Sequence, residues 1–251
     1  MKQATAVYFS PTGGSRRAAE LLLNLVPAEA KRSLDCTLPR QREKIYEFDT
    51  DELVIIANPV YAGQLPPVAG LWENLRGHNT PCIILACYGN RAYEDTLAQM
   101  QERLQRRGFR IVGAAAPVIP HIFAPALGAN RPDERDIQEL ALLAAAVARK
   151  LLAKDNAAVC VPGNPEPEPK KPIPVPMSID EERCTGCGTC VHLCPTGAIA
   201  AGTWERKPES CISCMRCVCR CPAQARSFDG GKIRAWLEGN FSEPQKLVWW
   251  A

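Results

Sequence analysis

Nine of the chain's 13 cysteines fall between positions 184 and 221, and all but one of the nine belong to two copies of a single spacing. Cys184, Cys187, Cys190 and Cys194, followed by Pro195, read C-x2-C-x2-C-x3-C-P, and Cys211, Cys214, Cys217 and Cys221, followed by Pro222, repeat it. Three thiolates on a tight loop can reach three irons of one [4Fe-4S] cubane, whereas the fourth, after a short helical turn and before proline, faces the other cluster. The spacing therefore assigns Cys184, Cys187, Cys190 and Cys221 to one cluster and Cys211, Cys214, Cys217 and Cys194 to the other. Such crossed ligation ties the two halves together and compensates for a domain too small to fold on its apolar core alone. A four-thiolate zinc site also uses C-x2-C pairs, but it does not call for a third cysteine at the same interval or for Cys-Pro at the fourth, twice over. Cys219 is surplus and reads as a non-ligand, and His192 reads as a surface residue. Arg216, Arg220 and Arg226 place positive charge near the second motif and read as a solvated face.

The remaining cysteines, Cys36, Cys82, Cys87 and Cys160, are scattered through the first 183 residues, so the chain is bipartite. Between the halves proline recurs at nearly every second position from Pro162 to Pro176. Such a segment favours extended polyproline backbone, and at ~3.1 Å per residue it could reach ~45 Å, enough to follow one face of the first domain; the alternative is a disordered tether that leaves the two domains independent. The expected boundaries are a first domain at residues 1–156, a linker at 157–177, a cluster domain at 178–229 and a tail at 230–251. An apolar fraction of 46% is ample for a core, and a net charge of +3 announces neither nucleic acid nor a membrane surface as partner. No window offers the ~20 uninterrupted apolar residues of a membrane span. A strand-like start without a signal segment, together with cysteines in metal-ligand spacing, points to the reducing cytoplasm.

Strand-like and helix-like stretches alternate through the first half. Short apolar runs at 4–9, 31–36, 53–57, 82–86 and 110–116 read as strands, and helical spacing fills 14–25, 66–75, 91–107 and 133–153. This alternation predicts an α/β fold with a parallel sheet of five strands covered on both faces. In that architecture ligands bind beyond the carboxyl ends of the strands.

The first strand-to-helix loop is Ser10-Pro11-Thr12-Gly13-Gly14-Ser15. Hydroxyls on Ser10, Thr12 and Ser15, the free N–H groups of a helix start and the flexible Gly13 and Gly14 together suit a phosphate. Neither the ATP-type loop nor the Gly-x-Gly-x-x-Gly dinucleotide fingerprint is present. The loop resembles the Ser/Thr-x-Thr-Gly-x-Ser/Thr phosphate loop of flavodoxins, apart from Pro11, which lacks an N–H. The likeness extends to Pro59-Val60-Tyr61-Ala62-Gly63 after the third strand and to Cys87-Tyr88-Gly89-Asn90 with Tyr93 after the fourth. It implies that these two loops clasp the isoalloxazine ring of FMN, with Tyr61 and Tyr88 as stacking candidates and Tyr93 as a weaker third. The exit of the fifth strand brings His121 and Phe123 to the same edge as secondary candidates.

Taken together, residues 1–229 resemble the flavodoxin-ferredoxin fusion proteins of anaerobic bacteria and archaea. The resemblance implies a flavodoxin-like doubly wound five-stranded parallel sheet followed by a small α+β bacterial-ferredoxin domain. It also implies FMN, two [4Fe-4S] clusters and electron transfer between them, with redox proteins as donor and acceptor. The leading function is an electron carrier that joins two-electron and one-electron chemistry. The alternatives are a ferredoxin-dependent flavin reductase acting on a small organic acceptor and a redox sensor. The tail holds Trp236, Trp249 and Trp250 and is expected to cap the cluster domain, to dock on the first domain, or to bind a partner.

Overall fold

The computed structural model describes residues 1–170 and 175–251; residues 171–174, part of the expected linker, lie outside the described residues. The chain runs β1 (Gln3–Tyr8), α1 (Gly14–Leu25), β2 (Ala30–Asp35), a short α2 (Pro39–Arg42), β3 (Tyr46–Phe48), β4 (Glu52–Pro59), β5 (Leu75–Gly77) and β6 (Thr80–Cys87). It continues through α3 (Thr96–Gln105), β7 (Phe109–Ala116), α4 (Glu134–Leu152), β8 (Met177–Ile179), α5 (Thr189–His192), α6 (Arg216–Cys219), β9 (Arg226–Phe228), α7 (Gly231–Asn240) and β10 (Val248–Trp250).

The main sheet has the order β10-β7-β6-β4-β1-β2. Its five strands from β7 to β2 are mutually parallel. Numbered by position among these five, the order is 2-1-3-4-5, the flavodoxin-like doubly wound arrangement. Every residue of β6 is buried, as a strand covered on both faces requires. The pleat sorts side chains between two cores. Val7, Val54, Ile56, Ile84 and Ile111 share one with Leu97, Met100 and Leu104 of α3. Ala6, Leu53, Ile55, Ile83 and Leu85 share the other with Leu22 of α1 and Leu140, Leu143 and Val147 of α4.

Two expectations are corrected here. No helix forms over 66–75: Pro67 biases Pro66 towards extended backbone, Gly70 lies at φ 68, and the stretch runs through turns into β5, which pairs with β3. The helix expected over 91–107 begins only at Thr96, after a turn with Asn90 and Glu94 at φ 65 and 36. The five expected parallel strands are all present, and the tail adds a sixth: it returns as β10 and pairs antiparallel with β7.

The linker region and the tail both run over the first domain. Gln64 Nε2 donates to the Glu168 carbonyl at 2.8 Å and Gln101 Nε2 to that of Val159 at 2.8 Å, and the N–H of Asn164 donates to Asp95 at 2.9 Å. In the tail, Trp249 packs on the α1/α4 core and donates its indole N–H to Glu139 at 2.8 Å, while Trp250 packs on the opposite core. Truncating Trp249 removes apolar contact and the Glu139 bond together. Trp249→Ala is expected to lower stability by about 2–3 kcal/mol in chemical denaturation of anaerobically prepared protein, and an unchanged midpoint would show that β10 is not a structural strand.

Candidate functional site

The carboxyl ends of β1, β4, β6 and β7 converge on a cavity of about 370 Å³. One end of it is polar. Gly13, at φ 101, turns the chain into α1 without a side-chain cap, so the first N–H groups of the helix lack intrahelical partners. Ser10 Oγ accepts from the N–H of Arg16 at 3.0 Å, and the N–H of Ser10 donates to Thr37 Oγ1 at 2.9 Å, which fixes the loop from both sides. Ser15 Oγ is buried without a hydrogen-bond partner on the cavity wall, with the Cys87 thiol alongside. A Cβ at Gly14 would lie 2.7 Å from Ile119 Cδ1, so the Ile119 side chain on the cavity wall would have to shift.

The rest of the cavity is mainly apolar. β4 delivers Pro59, Val60, Tyr61 and Ala62, β6 delivers Cys87 and Gly89, and the exit of β7 delivers Ile119, His121, Ile122 and Phe123. Of the residues expected from sequence, Ser10, Thr12, Gly14, Ser15, Pro59, Val60, Tyr61, Ala62, Cys87 and Gly89 line it, whereas Gly13, Gly63, Tyr88, Asn90 and Tyr93 do not.

Tyr88 lies in the core on the α3 side of the sheet, against which the cavity-lining Val60 and Tyr61 also pack, but it does not reach the cavity. There it meets Tyr93 edge-on at 5.4 Å, and Tyr93 meets Trp250 at 6.2 Å. The expected stacking partner of a ring is instead part of the aromatic seat of the tail. Asn90 has a similar role: it is 2% exposed, donates to the carbonyls of Phe241 and Glu243 at 2.7 and 3.0 Å, and accepts from the N–H of Gln245 at 2.9 Å.

The cavity is completed by elements far away in sequence, which local motif reading could not find. Arg91 and Lys170 stand at its wall, both joined to Glu94, and Ile233, Trp236 and Leu237 of α7 line it as well. Ile212, Ser213 and Cys214 of the second cysteine loop form a further wall. Burial, with Cys214 and Cys211 adding to it, holds the Tyr61 phenol well above its ordinary range, so it stays neutral.

Two smaller cavities lie in the cluster domain. Cys184, Cys187, Cys190 and Cys221 line one, and Cys211, Cys214, Cys217 and Cys194 line the other, grouping the thiols in the crossed sets expected from spacing. Cys219 lines neither. The two loops repeat each other in backbone as well as sequence. Gly186, Gly188 and Gly197 lie at φ 65, 72 and 66, and Ser213, Met215 and Gln224 at the matching positions lie at φ 52, 57 and 52. Left-handed backbone costs such residues on the order of 1 kcal/mol each, a cost that ligation is suited to offset. Backbone N–H groups point at sulfur in corresponding places: Ala198 to Cys194 at 3.2 Å and Ala225 to Cys221 at 3.3 Å. Among the described residues, no three or more His, Cys, Asp or Glu side chains gather tightly enough for a single metal ion. The thiols ring a space instead, which suits a group of several atoms.

The expected solvated face of arginines holds for Arg220, which is exposed, and is corrected for Arg216 and Arg226, which are 9% and 7% exposed. Arg226 borders the first cluster cavity and donates to the Trp204 carbonyl. Arg216 crosses the seam to donate to the carbonyls of Pro11 at 2.7 Å and Ser10 at 3.3 Å. From the other side, Arg42 donates to the Pro195 carbonyl at 2.7 Å and holds the Thr37 carbonyl at 2.6 Å.

A family model described as "4Fe-4S binding domain" matches residues 177–200. No curated protein is significantly similar to the chain in sequence. Among solved structures, a flavodoxin from Streptococcus pneumoniae TIGR4 is 18% identical with a TM-score of 0.42, covering 59% of this chain and 99% of that one. A flavodoxin from the domain Archaea is 12% identical with a TM-score of 0.40, covering 60% of this chain and 99% of that one.

His121 gives this region a pH dependence. Its Nδ1 accepts from the N–H of Phe123 at 3.1 Å, and burial, aided by Arg91, pushes its pKa down to about 4. The unfolded imidazole takes up its proton near pH ~6.5, so in the window between these values unfolding is coupled to proton uptake. Stability contributed by neutral His121 is full above that window and falls as the pH drops through it. In urea unfolding between pH 7 and 5.5, wild type is expected to lose more stability than His121→Gln, and parallel curves would show that His121 does not titrate on unfolding.

Proposed function

We propose that the chain is an internal electron relay, with FMN in the large cavity and one [4Fe-4S] cluster in each of the two cysteine-lined cavities. The observation that carries this reading is Cys214: it belongs to the thiol ring of one small cavity and also lines the large one. A cluster held there would have a ligand on the wall of the flavin site, with no intervening domain. A flavin accepts two electrons together and releases them singly, and each cluster carries one.

The chain's own residues fit these groups. The N-terminus of α1 with the unpartnered Ser15 hydroxyl would receive the phosphate, and Thr12 lies on the same wall. Val60, Tyr61 and Ile119 supply apolar surface for the ring, and a volume of about 370 Å³ is in the range of small-molecule sites. Helix α7 adds Ile233, Trp236 and Leu237 to the wall, Trp236 being 51% exposed and packed edge-on against Phe241 at 5.2 Å. The Cys214 wall favours exchange through the clusters over direct reduction of an organic substrate. Redox proteins acting as donor and acceptor, and a cytoplasmic location, belong to the same reading.

Anaerobic purification is expected to give about eight iron, about eight sulfide and about one FMN per chain. Cys214→Ser should lose roughly half of the iron, keep the flavin, and slow flavin-to-cluster exchange in rapid mixing by more than ~10-fold. Clusters that stay oxidised while the flavin turns over an organic acceptor would overturn the relay and favour the reductase.

A further inference from the structure

Arg216 is a buried cation with no carboxylate in ion-pair contact among the described residues; Asp35 acts on it only at longer range. Its Nε is buried and unpaired, and its hydrogen bonds go to two backbone carbonyls, those of Ser10 and Pro11. Carbonyl dipoles compensate a buried guanidinium only partly. In sequence it stands between Cys214 and Cys217; in space it touches the loop that begins the polar end of the large cavity. It lines neither cavity itself, and Arg206 is the arginine on the wall of the second cysteine-lined cavity, but it stands beside two places where an anion would sit: the N-terminus of α1, through the Ser10-Pro11 loop, and the thiol ring, through Cys214.

We infer that Arg216 is a positioning residue shared by these two sites, so that the grip on the phosphate of FMN and the reduction potential of the second cluster are linked. This rests on the relay reading above. The link has a chemical path. The Pro11 carbonyl belongs to the same peptide group as the Thr12 N–H, and a cation on the carbonyl oxygen polarises that N–H into a stronger donor. Pro11 itself has no N–H to offer, so the donor strength of its neighbour carries more of the burden. On the other side, a thiolate-ligated cluster becomes more negative when it gains an electron, and an adjacent buried cation favours that reduced state. One cation serves two anions. The phosphate of FMN draws on the charge that would otherwise favour cluster reduction, and thermodynamic linkage makes the effect mutual.

The test compares FMN with riboflavin, which has the same ring and no phosphate, on anaerobic cluster-loaded protein from which the flavin has been removed. Fluorescence quenching gives the two affinities, and a redox titration followed by paramagnetic resonance gives the two cluster potentials. In Arg216→Gln, FMN is expected to bind about tenfold more weakly with riboflavin changed less than about twofold. The potential of the second cluster should fall while that of the first stays in place, and Arg216→Lys, which keeps the charge, should hold that potential near the wild-type value.

A measurement on wild type alone stands in if Arg216→Gln does not fold: the second cluster should have a lower potential with FMN bound than with riboflavin bound. Wild-type behaviour of Arg216→Gln in both affinity ratio and potential overturns the proposal. So does equal loss of both flavins with both potentials intact, which would make Arg216 a packing residue. Wild-type protein that binds neither flavin overturns the FMN reading itself, and is distinguished by needing no variant.

Discussion

Two buried guanidinium groups fix the relation between the halves of this molecule. Arg42 reaches from the first domain to the carbonyl of Pro195, in the Cys-Pro turn that ends the first motif, and Arg216 reaches back from the second motif to the carbonyls of Ser10 and Pro11. Thr37 joins the two grips, since its hydroxyl accepts from the N–H of Ser10 while its carbonyl accepts from Arg42. The strand-end loop and both cysteine loops are thereby held in one hydrogen-bonded frame. Side chains that end in a planar fork with several donors can do this where a lysine would supply a point charge. The apolar part of the seam follows: Phe123, Leu127, Val175, Met215 and Leu237 bury one another, and Ile212 enters the core of the first domain.

The parts of this arrangement that were legible in sequence are those whose chemistry demands a local spacing. Both thiol sets could be assigned because three cysteines on one loop and a fourth before proline are a constraint on neighbouring residues. The phosphate-suited loop was legible because Ser10, Gly13 and Gly14 sit where a strand must turn into a helix. The runs that became β1, β4, β6 and β7 were visible because a doubly covered strand is apolar throughout.

What could not be read depends on pairing across long separations. β10 is a strand because it meets β7 more than 130 positions earlier, and nothing in Val248, Trp249 and Trp250 alone distinguishes a sheet edge from a capping tail. Tyr88 was assigned to the ring site by its position in a loop, but it packs edge-on against Tyr93, whose other ring neighbour, Trp250, comes from the far end of the chain. Arg216 looked solvated because charge beside a small domain usually is; its burial is created by the other domain. Trp236 and Lys170 reach the cavity only because the tail and the linker region are laid over the first domain.

This laying-over bears on how such a chain would work. Two separate proteins exchanging electrons must meet, orient and part on each cycle, and their rate follows concentration and ionic strength. Here the linker region, the arginine frame, the α7 contacts and β10 tie the two halves at several points, so orientation is set on folding rather than on encounter. The same ties bring Trp236 and Leu237 of the tail and Cys214 of the second cysteine loop to the wall of the large cavity.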